Sequence, residues 1–273
     1  MGGEGDSAGD GAAGDVTALP LLSAWSDDEL ADGDVEWFCG LLYDRAWVCA
    51  TDIYDPDAYD LVPLEPAEAA AALTFYLRRR AWAEWYFGTV TPARQIALLP
   101  DDAVSMRMRL ARQIQDELRH HDLFANAARS RRGEWRVDRF PSPPALARMH
   151  ETQRKASSAA ELAAANQFGG EIVLLMQAEP ERNALQHLLD GRTQEIIVDI
   201  ESDEPAHVEL GHDLVASFAI EPVQRRTVAA CQERFLTALS AQHSSEIESL
   251  GARRTRGLPT FDPTQRTAVG GHE

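Results

Sequence analysis

Two stretches of the chain carry the same short pattern. Asp116-Glu117-Leu118-Arg119-His120 and Asp203-Glu204-Pro205-Ala206-His207 both read D-E-x-x-H. On an α-helix, residues three apart share a face, so the Glu and His of each pair can ligate one metal ion together. A carboxylate with an imidazole suits iron or manganese better than a soft thiolate set would. A single E-x-x-H says little, and the chain contains a third, Glu209-Leu210-Gly211-His212.

The spacing of two further acids selects among the three. Glu84 lies 33 residues before Glu117, and Glu171 lies 33 residues before Glu204. Two antiparallel helices joined by a short loop bring such positions to one level. Doing so twice gives four facing helices with two lone Glu and two Glu-x-x-His pairs, a dimetal carboxylate arrangement. The expected metal ligands are therefore Glu84, Glu117, His120, Glu171, Glu204 and His207. Glu209 and His212 break the spacing, lack the preceding Asp, and turn about 140° away from Glu204 at roughly 100° per residue.

The neighbourhoods agree. Glu84 stands in RRRAWAEWYFG among Trp82, Trp85, Tyr86 and Phe87, and Glu171 stands in NQFGGEIVLLM. A carboxylate in so apolar a helix is costly unless paired or metal-bound. The distal nitrogen of a ligand His needs an acceptor, and Asp116 and Asp203 are expected to orient the histidines, each serving the His of the other pair. Arg80, one turn from Glu84, is a candidate for an anionic substrate, whereas Arg78, Arg79 and Arg80 as a run read otherwise as solvent or interface charge. Glu161 and Glu195 read as ordinary helix surface. Pro205 removes a backbone N–H inside a metal helix and predicts a kink or a π-type bulge there. Gly88 and Gly211 leave room either for a substrate or O₂ or for close helix packing.

Helices must position these groups. A short helix is expected over 34–51, then helices over 66–90, 101–131 and 157–189, the last interrupted near Gly169-Gly170 and Glu179-Pro180. A fourth follows Gly191 and ends near Ala219, and an amphipathic fifth covers 222–250. Pro66 and Glu68 suit a first helical turn, Asp101 and Asp102 a helix start, and Gly133 a stop. Residues 134–144 read as a loop closed by PSPP. The expected organisation is an acidic disordered tail over 1–20, one helical domain over 21–250 and a flexible tail over 251–273.

Composition sets the outer bounds. The 273 residues suffice for a sizeable core, with 44% hydrophobic residues. Ala, Leu, Glu, Arg and Gln dominate the middle of the chain, and alternating Val-Ile-Thr runs are almost absent, which favours an all-α fold. A net charge of −18 argues against nucleic-acid binding through a basic face. No apolar run is long enough to span a membrane. Cys39, Cys49 and Cys231 form no CxxC, and a reducing cytoplasm is the expected compartment.

The segments QIQDELRHHDLF and IESDEPAHVELG resemble the paired metal-binding helices of the ferritin-like di-iron carboxylate superfamily. The second is similar to the corresponding helix of ribonucleotide reductase small-subunit relatives and of aminobenzoate N-oxygenase-like enzymes. The resemblance spans roughly residues 65–220 and implies a ferritin-like four-helix bundle with additional N-terminal and C-terminal helices. It further implies two Fe ions, with Mn as the alternative, and O₂ as co-substrate. Glu117 and Glu204 would bridge or cap the metals, His120 and His207 would each complete one, and Glu84 and Glu171 would be terminal ligands. The implied activity is oxygenation or oxidation of a small organic molecule through a peroxo-type intermediate, with electrons from a donor protein or small reductant. A homodimer is one possible assembly. The alternatives are a ferritin- or rubrerythrin-like iron or peroxide handler and a manganese catalase. The chain departs from the reductase pattern at Glu84, where Asp is usual, and from the N-oxygenases at Ile200, where they carry a further His.

Overall fold

The structure is a computed structural model that describes residues 16–131, 140, 143–178 and 186–265. It is mostly helical, and none of its described helices is long and apolar enough to cross a membrane. Of the expected disordered tail over 1–20, residues 1–15 lie outside the described residues, as do the Gly133 stop and the Glu179-Pro180 interruption, while Ala18–Pro20 form a paired strand instead.

Local chemistry sets the helix starts. Asp34 caps α2 (Val35–Tyr54) by accepting the Trp37 N–H at 2.8 Å. Before it, Ser26 and Glu29 form a capping box on the short α1 (Asp27–Ala31). The next helix, α3 (Pro66–Trp85), begins on Pro66 with a Glu65–Glu68 capping box. It does not stop near Val90 as expected. A π turn over Tyr86–Val90 carries the helical path into α4 (Thr91–Leu98). Pro92 has no N–H for the carbonyl of Gly88, and the widened turn just before it accommodates the missing bond.

Helix α5 (Val104–Arg131) begins three residues later than expected. Asp101 and Asp102 sit in the turn before it, where the Ala103 N–H reaches the Pro100 carbonyl. Helices α3 and α5 run antiparallel: Gly88 abuts Glu117, while the Ala81 carbonyl accepts from His121 Nδ1 at 2.7 Å, one turn further along α5.

A helix beyond those expected, α6 (Pro144–Lys155), precedes α7 (Ala159–Ala165). A second π turn, Asn166–Glu171, joins α7 to α8 (Ile172–Ala178), so the expected break at Gly169-Gly170 is a widening rather than an end. The expected fourth helix is two, α9 (Gly191–Glu201) and α10 (Glu204–Phe218), with Ser202 and Asp203 between them. Pro205 therefore sits in a first turn, where its lost N–H costs nothing, and the kink or bulge expected there is a full break.

Helix α11 (Pro222–Ser249) matches the fifth helix expected over 222–250 in extent but is not amphipathic. It is buried over most of its length and carries polar groups inward, including Arg225, Gln232, Glu233, His243 and Glu246. These are matched across the core. Arg45 on α2 pairs with Glu233 at 2.8 Å and also reaches Gln232. Phe38, Leu77, Phe124, Phe168 and Phe235 fill the space between the helices.

The all-α expectation needs one amendment. Among the described residues four short strands accompany the helices: β1 (Ala18–Pro20), β2 (Tyr59–Leu61), β3 (Ala252–Arg254) and β4 (Thr260–Asp262). Strand β1 pairs in parallel with β4, placing Ala18 opposite Thr260, and β2 pairs antiparallel with β3, placing Tyr59 opposite Arg254. Residues 251–265 are thus packed against the helices rather than forming a loose tail. Arg254 and Arg256 both clasp the buried Asp52 of α2, the latter at 2.8 Å. Backbone pairing and buried charge hold the segment, and neither leaves a periodic hydrophobic signature in so short a stretch.

Candidate metal centre

The two Glu-x-x-His pairs lie on α5 and at the start of α10. The two lone acids lie at the end of α3 and at the end of the second π turn. All six side chains meet in the interior, each at most 4% exposed. Donor atoms of Glu84, Glu117 and His120 lie within 4.8 Å of one another, as do those of Glu117, Glu171 and His207. Glu117 belongs to both groups. Glu204 also faces both imidazoles, with Oε2 3.1 Å from His207 Nδ1 and Oε1 3.8 Å from His120 Nδ1. The rings are 6.3 Å apart between centroids. Two carboxylates thus stand between two imidazoles, with one further carboxylate on each side.

The outer faces of the rings settle which nitrogens point inward. His120 Nε2 lies 3.1 Å from Asp203 Oδ2, and His207 Nε2 lies 3.6 Å from Asp116 Oδ2. Asp203 reaches the His of the other pair within hydrogen-bond distance, whereas Asp116 faces His207 but makes no hydrogen bond to it. With Nε2 of His120 directed at a carboxylate, Nδ1 of both rings is left facing the acids, where its lone pair would be free for a metal once the proton is displaced. Arg119 steadies Asp203 through a 2.6 Å hydrogen bond.

Helix distortions accompany both lone acids. Glu84 lies just before the first π turn and Glu171 ends the second. A π turn rotates the following side chains relative to a regular helix, and such turns concentrate at functional sites. Gly88, in the first of them, allows the backbone to press on Glu117: a Cβ there would lie 2.6 Å from Glu117 Cβ, Cγ and Cδ. Gly211 similarly lets α10 close on Gln167. Both glycines allow close packing, and Gly88 also lines the cavity beside the acids.

A ladder of buried amides supports the acids, and the sequence reading missed it. Gln113 Nε2 donates to Glu171 at 3.0 Å and Glu117 at 3.3 Å, and Asn166 donates to Glu171 at 3.2 Å. Gln167 in turn bridges Gln113 at 3.0 Å and Gln95 at 3.1 Å. The available signal was amide side chains recurring on the helix faces that carry the acids.

Electrostatics of the cluster are those of too many anions in a dry place. Burial, then the negative charge of Glu117, pushes Glu204 and Glu171 well above the ordinary carboxylate value. Burial also raises Glu84, with Arg80 opposing and Glu117 adding to the rise. Glu117 is the exception. Burial opposes its ionisation, but the His120 hydrogen bond and the charges of His207 and His120 hold it low. Burial likewise disfavours charge on His120, yet its hydrogen bond and attraction to Glu117, with Glu84 and Glu204, lift it to about 10. Burial works against Asp203 as well, and the bonds from Arg119 and His120 keep it below its usual range.

Four carboxylates and two imidazoles with little countercharge fit a pair of divalent cations. Glu204 Oε1 is buried with no hydrogen-bond partner, as a ligand oxygen would be before its cation arrives. The buried Glu and His cluster could therefore hold metal.

The rejected third pair points elsewhere. His212 Nε2 meets Glu36 of α2 at 2.8 Å near the surface, and Glu209 is exposed beside Arg109. Glu195 is exposed as expected. Glu161 is not: it is buried and turns back to accept from the Ser157 N–H at 3.1 Å and from the Ser157 hydroxyl at 2.7 Å. Of the arginine run, Arg78 is half-buried, while Arg79 and Arg80 are buried, contrary to a solvent role. Arg80 Nη2 pairs with Glu84 at 2.9 Å.

A cavity of about 50 Å³ lies against Glu84, Glu117 and Glu171. Phe87, Met149, Leu174, Phe235 and Leu239 supply apolar wall, and Arg79, Arg80 and His243 also line it. No protein-family model matches the chain, and no curated protein matches it.

Proposed function

We propose that the chain is an O₂-activating non-haem di-iron oxygenase or oxidase acting on a small organic substrate, built on a ferritin-like four-helix core. The observation that carries this reading is the placement of Glu117 and Glu204 between His120 and His207, with Glu84 and Glu171 outside them and an apolar cavity alongside. The helices around the cluster are α3, α5, the α7–α8 path and α10, and the remaining helices flank them.

Bound iron would supply the redox equivalents and the Lewis acidity for reducing O₂. The protein's own part follows from its residues. Glu117 and Glu204 would span the two cations, and Glu84 and Glu171 would cap them. His120 and His207 would each present Nδ1, the first held by Asp203 at the far nitrogen and the second facing Asp116 there at 3.6 Å. The amide ladder from Gln95 to Gln113 keeps Glu171 and Glu117 in place without adding charge. The apolar wall excludes water and holds the organic substrate beside the acids. Electrons would come from a separate protein or small reductant.

Protein produced with iron should hold two irons per chain, and O₂ uptake should depend on an oxidisable substrate. A chain without metal would refute the centre itself. Rapid H₂O₂ disproportionation with Mn bound would favour a catalase, and assembly into a large cage would favour iron storage. Glu117→Ala should abolish metal binding while His212→Ala leaves two metals per chain, read by metal analysis after gel filtration. The reverse pattern would show that the third pair is the ligating one.

A further inference from the structure

The cavity beside the acids has a charged end that the metal ligands do not account for. Arg79 and Arg80 are 1% and 3% exposed and both line it. Arg79 reaches Glu246 of α11 through Nε, but its Nη2 is buried with no hydrogen-bond partner. Arg80 holds Glu84 with one nitrogen, lies over the Phe124 ring, and its Nε is likewise unpartnered. His243, also on the cavity, is fixed by the Tyr54 hydroxyl at 2.9 Å. Burial, with Arg79 and Arg80 nearby, keeps that imidazole neutral.

Charge balance then becomes informative, and it rests on the dimetal reading given above. Two divalent cations would neutralise the four carboxylates, Glu84 included. Arg79 and Arg80 would be left facing Glu246 alone, one positive charge in excess inside a buried space. An uncompensated buried cation is costly. Burial, then the neighbouring Arg80, lower Arg79 to about 9, in keeping with that excess.

We propose that this cavity binds a small carboxylic acid, with its carboxylate on Arg79 and Arg80 and its apolar body against Phe87, Leu174 and Phe235. A carboxylate carries the single negative charge the pocket lacks and matches the planar fork of a guanidinium. A phosphate monoester, mostly dianionic at neutral pH, would overshoot the balance. Since the Arg80 guanidinium touches Glu84, the carbons nearest the carboxylate lie against the acid cluster, and the far end of the molecule lies toward the apolar wall.

Calorimetric titration of the metal-loaded protein with octanoate and phenylacetate, against octanamide, phenylacetamide and phenyl phosphate, tests this. The acids should bind at least tenfold tighter than their amides. Arg79→Gln should erase that preference, and Arg79→Lys should retain part of it. Leu174→Trp, which fills the cavity without altering its charge, should weaken acid and amide alike. Circular dichroism confirms that each variant is folded. Absence of acid binding, equal binding of acid and amide, full preference in Arg79→Gln, or tighter binding of the phosphate would each overturn the proposal. Metal content on the same samples separates the two ideas. Two metals per chain without acid preference refutes the pocket alone. Acid preference in a protein that takes up no metal keeps the pocket and refutes the centre.

Discussion

Gly88 lies in the π turn after Glu84, and a Cβ built on it would sit 2.6 Å from three side-chain carbons of Glu117. Ordinary contact begins near 3.4 Å, so Gly88→Ala forces a retreat of about 0.8 Å. Glu117 is 1% exposed and hemmed in by Gln113, His120 and His207, so it cannot swing into solvent. Overpacking of this kind costs roughly 1–3 kcal/mol of stability. The effect on metal should be larger, because ligand positions are tolerated only within about 0.2 Å. Loss of an outer hydrogen-bond partner alone weakens metal affinity about 10–100-fold, so displacing the shared carboxylate should cost at least ~100-fold. The assay is anaerobic Fe(II) titration of metal-free protein, with metal per chain after gel filtration and a melt by circular dichroism. Gly170→Ala is the matched control. It lies in the other π turn, beside Glu171, and its Cβ would meet nothing within 4 Å. It should keep both metals, with stability unchanged or raised by roughly 0.5–1 kcal/mol. A folded Gly88→Ala protein with normal affinity, or equal loss in both variants, would refute the reasoning.

Three further outcomes are expected. Asp203→Asn should weaken metal binding by about 10–100-fold, and Asp116→Asn by less, since the His207 contact is 3.6 Å against 3.1 Å for His120. Equal effects would contradict this ranking. Glu171 and Glu204 titrate above the ordinary 4.5, and His120 is raised from 6.5 to about 10. The metal-free fold therefore favours their protonated forms. The acids' contribution is complete below about pH 4.5 and that of His120 below about pH 6.5, and both fade as pH rises through the folded values. Metal displaces these protons, so the rise in melting temperature on metal loading should grow from about pH 5.5 to 8, and a flat or shrinking difference would count against it. Arg45→Ala leaves the buried Glu233 uncompensated and should lower stability by roughly 3–5 kcal/mol in urea unfolding, with metal content unchanged.

The sequence by itself determined which residues could ligate metal. Glu117 with His120 and Glu204 with His207 are fixed to one face by helical periodicity, which is a property of a single element. The repeated spacing of 33 then tied Glu84 and Glu171 to them, because chain length between antiparallel helices is also written in one dimension. The same geometry put Asp116 and Asp203 near the histidines, but of the two only Asp203 comes within hydrogen-bond distance. The helix ends were less legible. Pro205 announced a disturbance, but whether it kinks, bulges or breaks the helix depends on what packs around Ser202 and Asp203. Tertiary structure alone decided the rest. The amides of Gln113, Gln167 and Gln95 could have been surface groups, and only the approach of α4, α5 and the second π turn makes them a ladder. Residues 251–265 carry no periodic pattern, yet they pair with β2 and β1 because Asp52 and two short strands offer partners from far away in the chain. Arg79 read as solvent charge and is buried beside the acids. Its place depends on α11, which delivers Glu246 and His243 from more than 160 residues further along the chain. A helix face is a local property, whereas the partner that face will meet is a property of the packed whole.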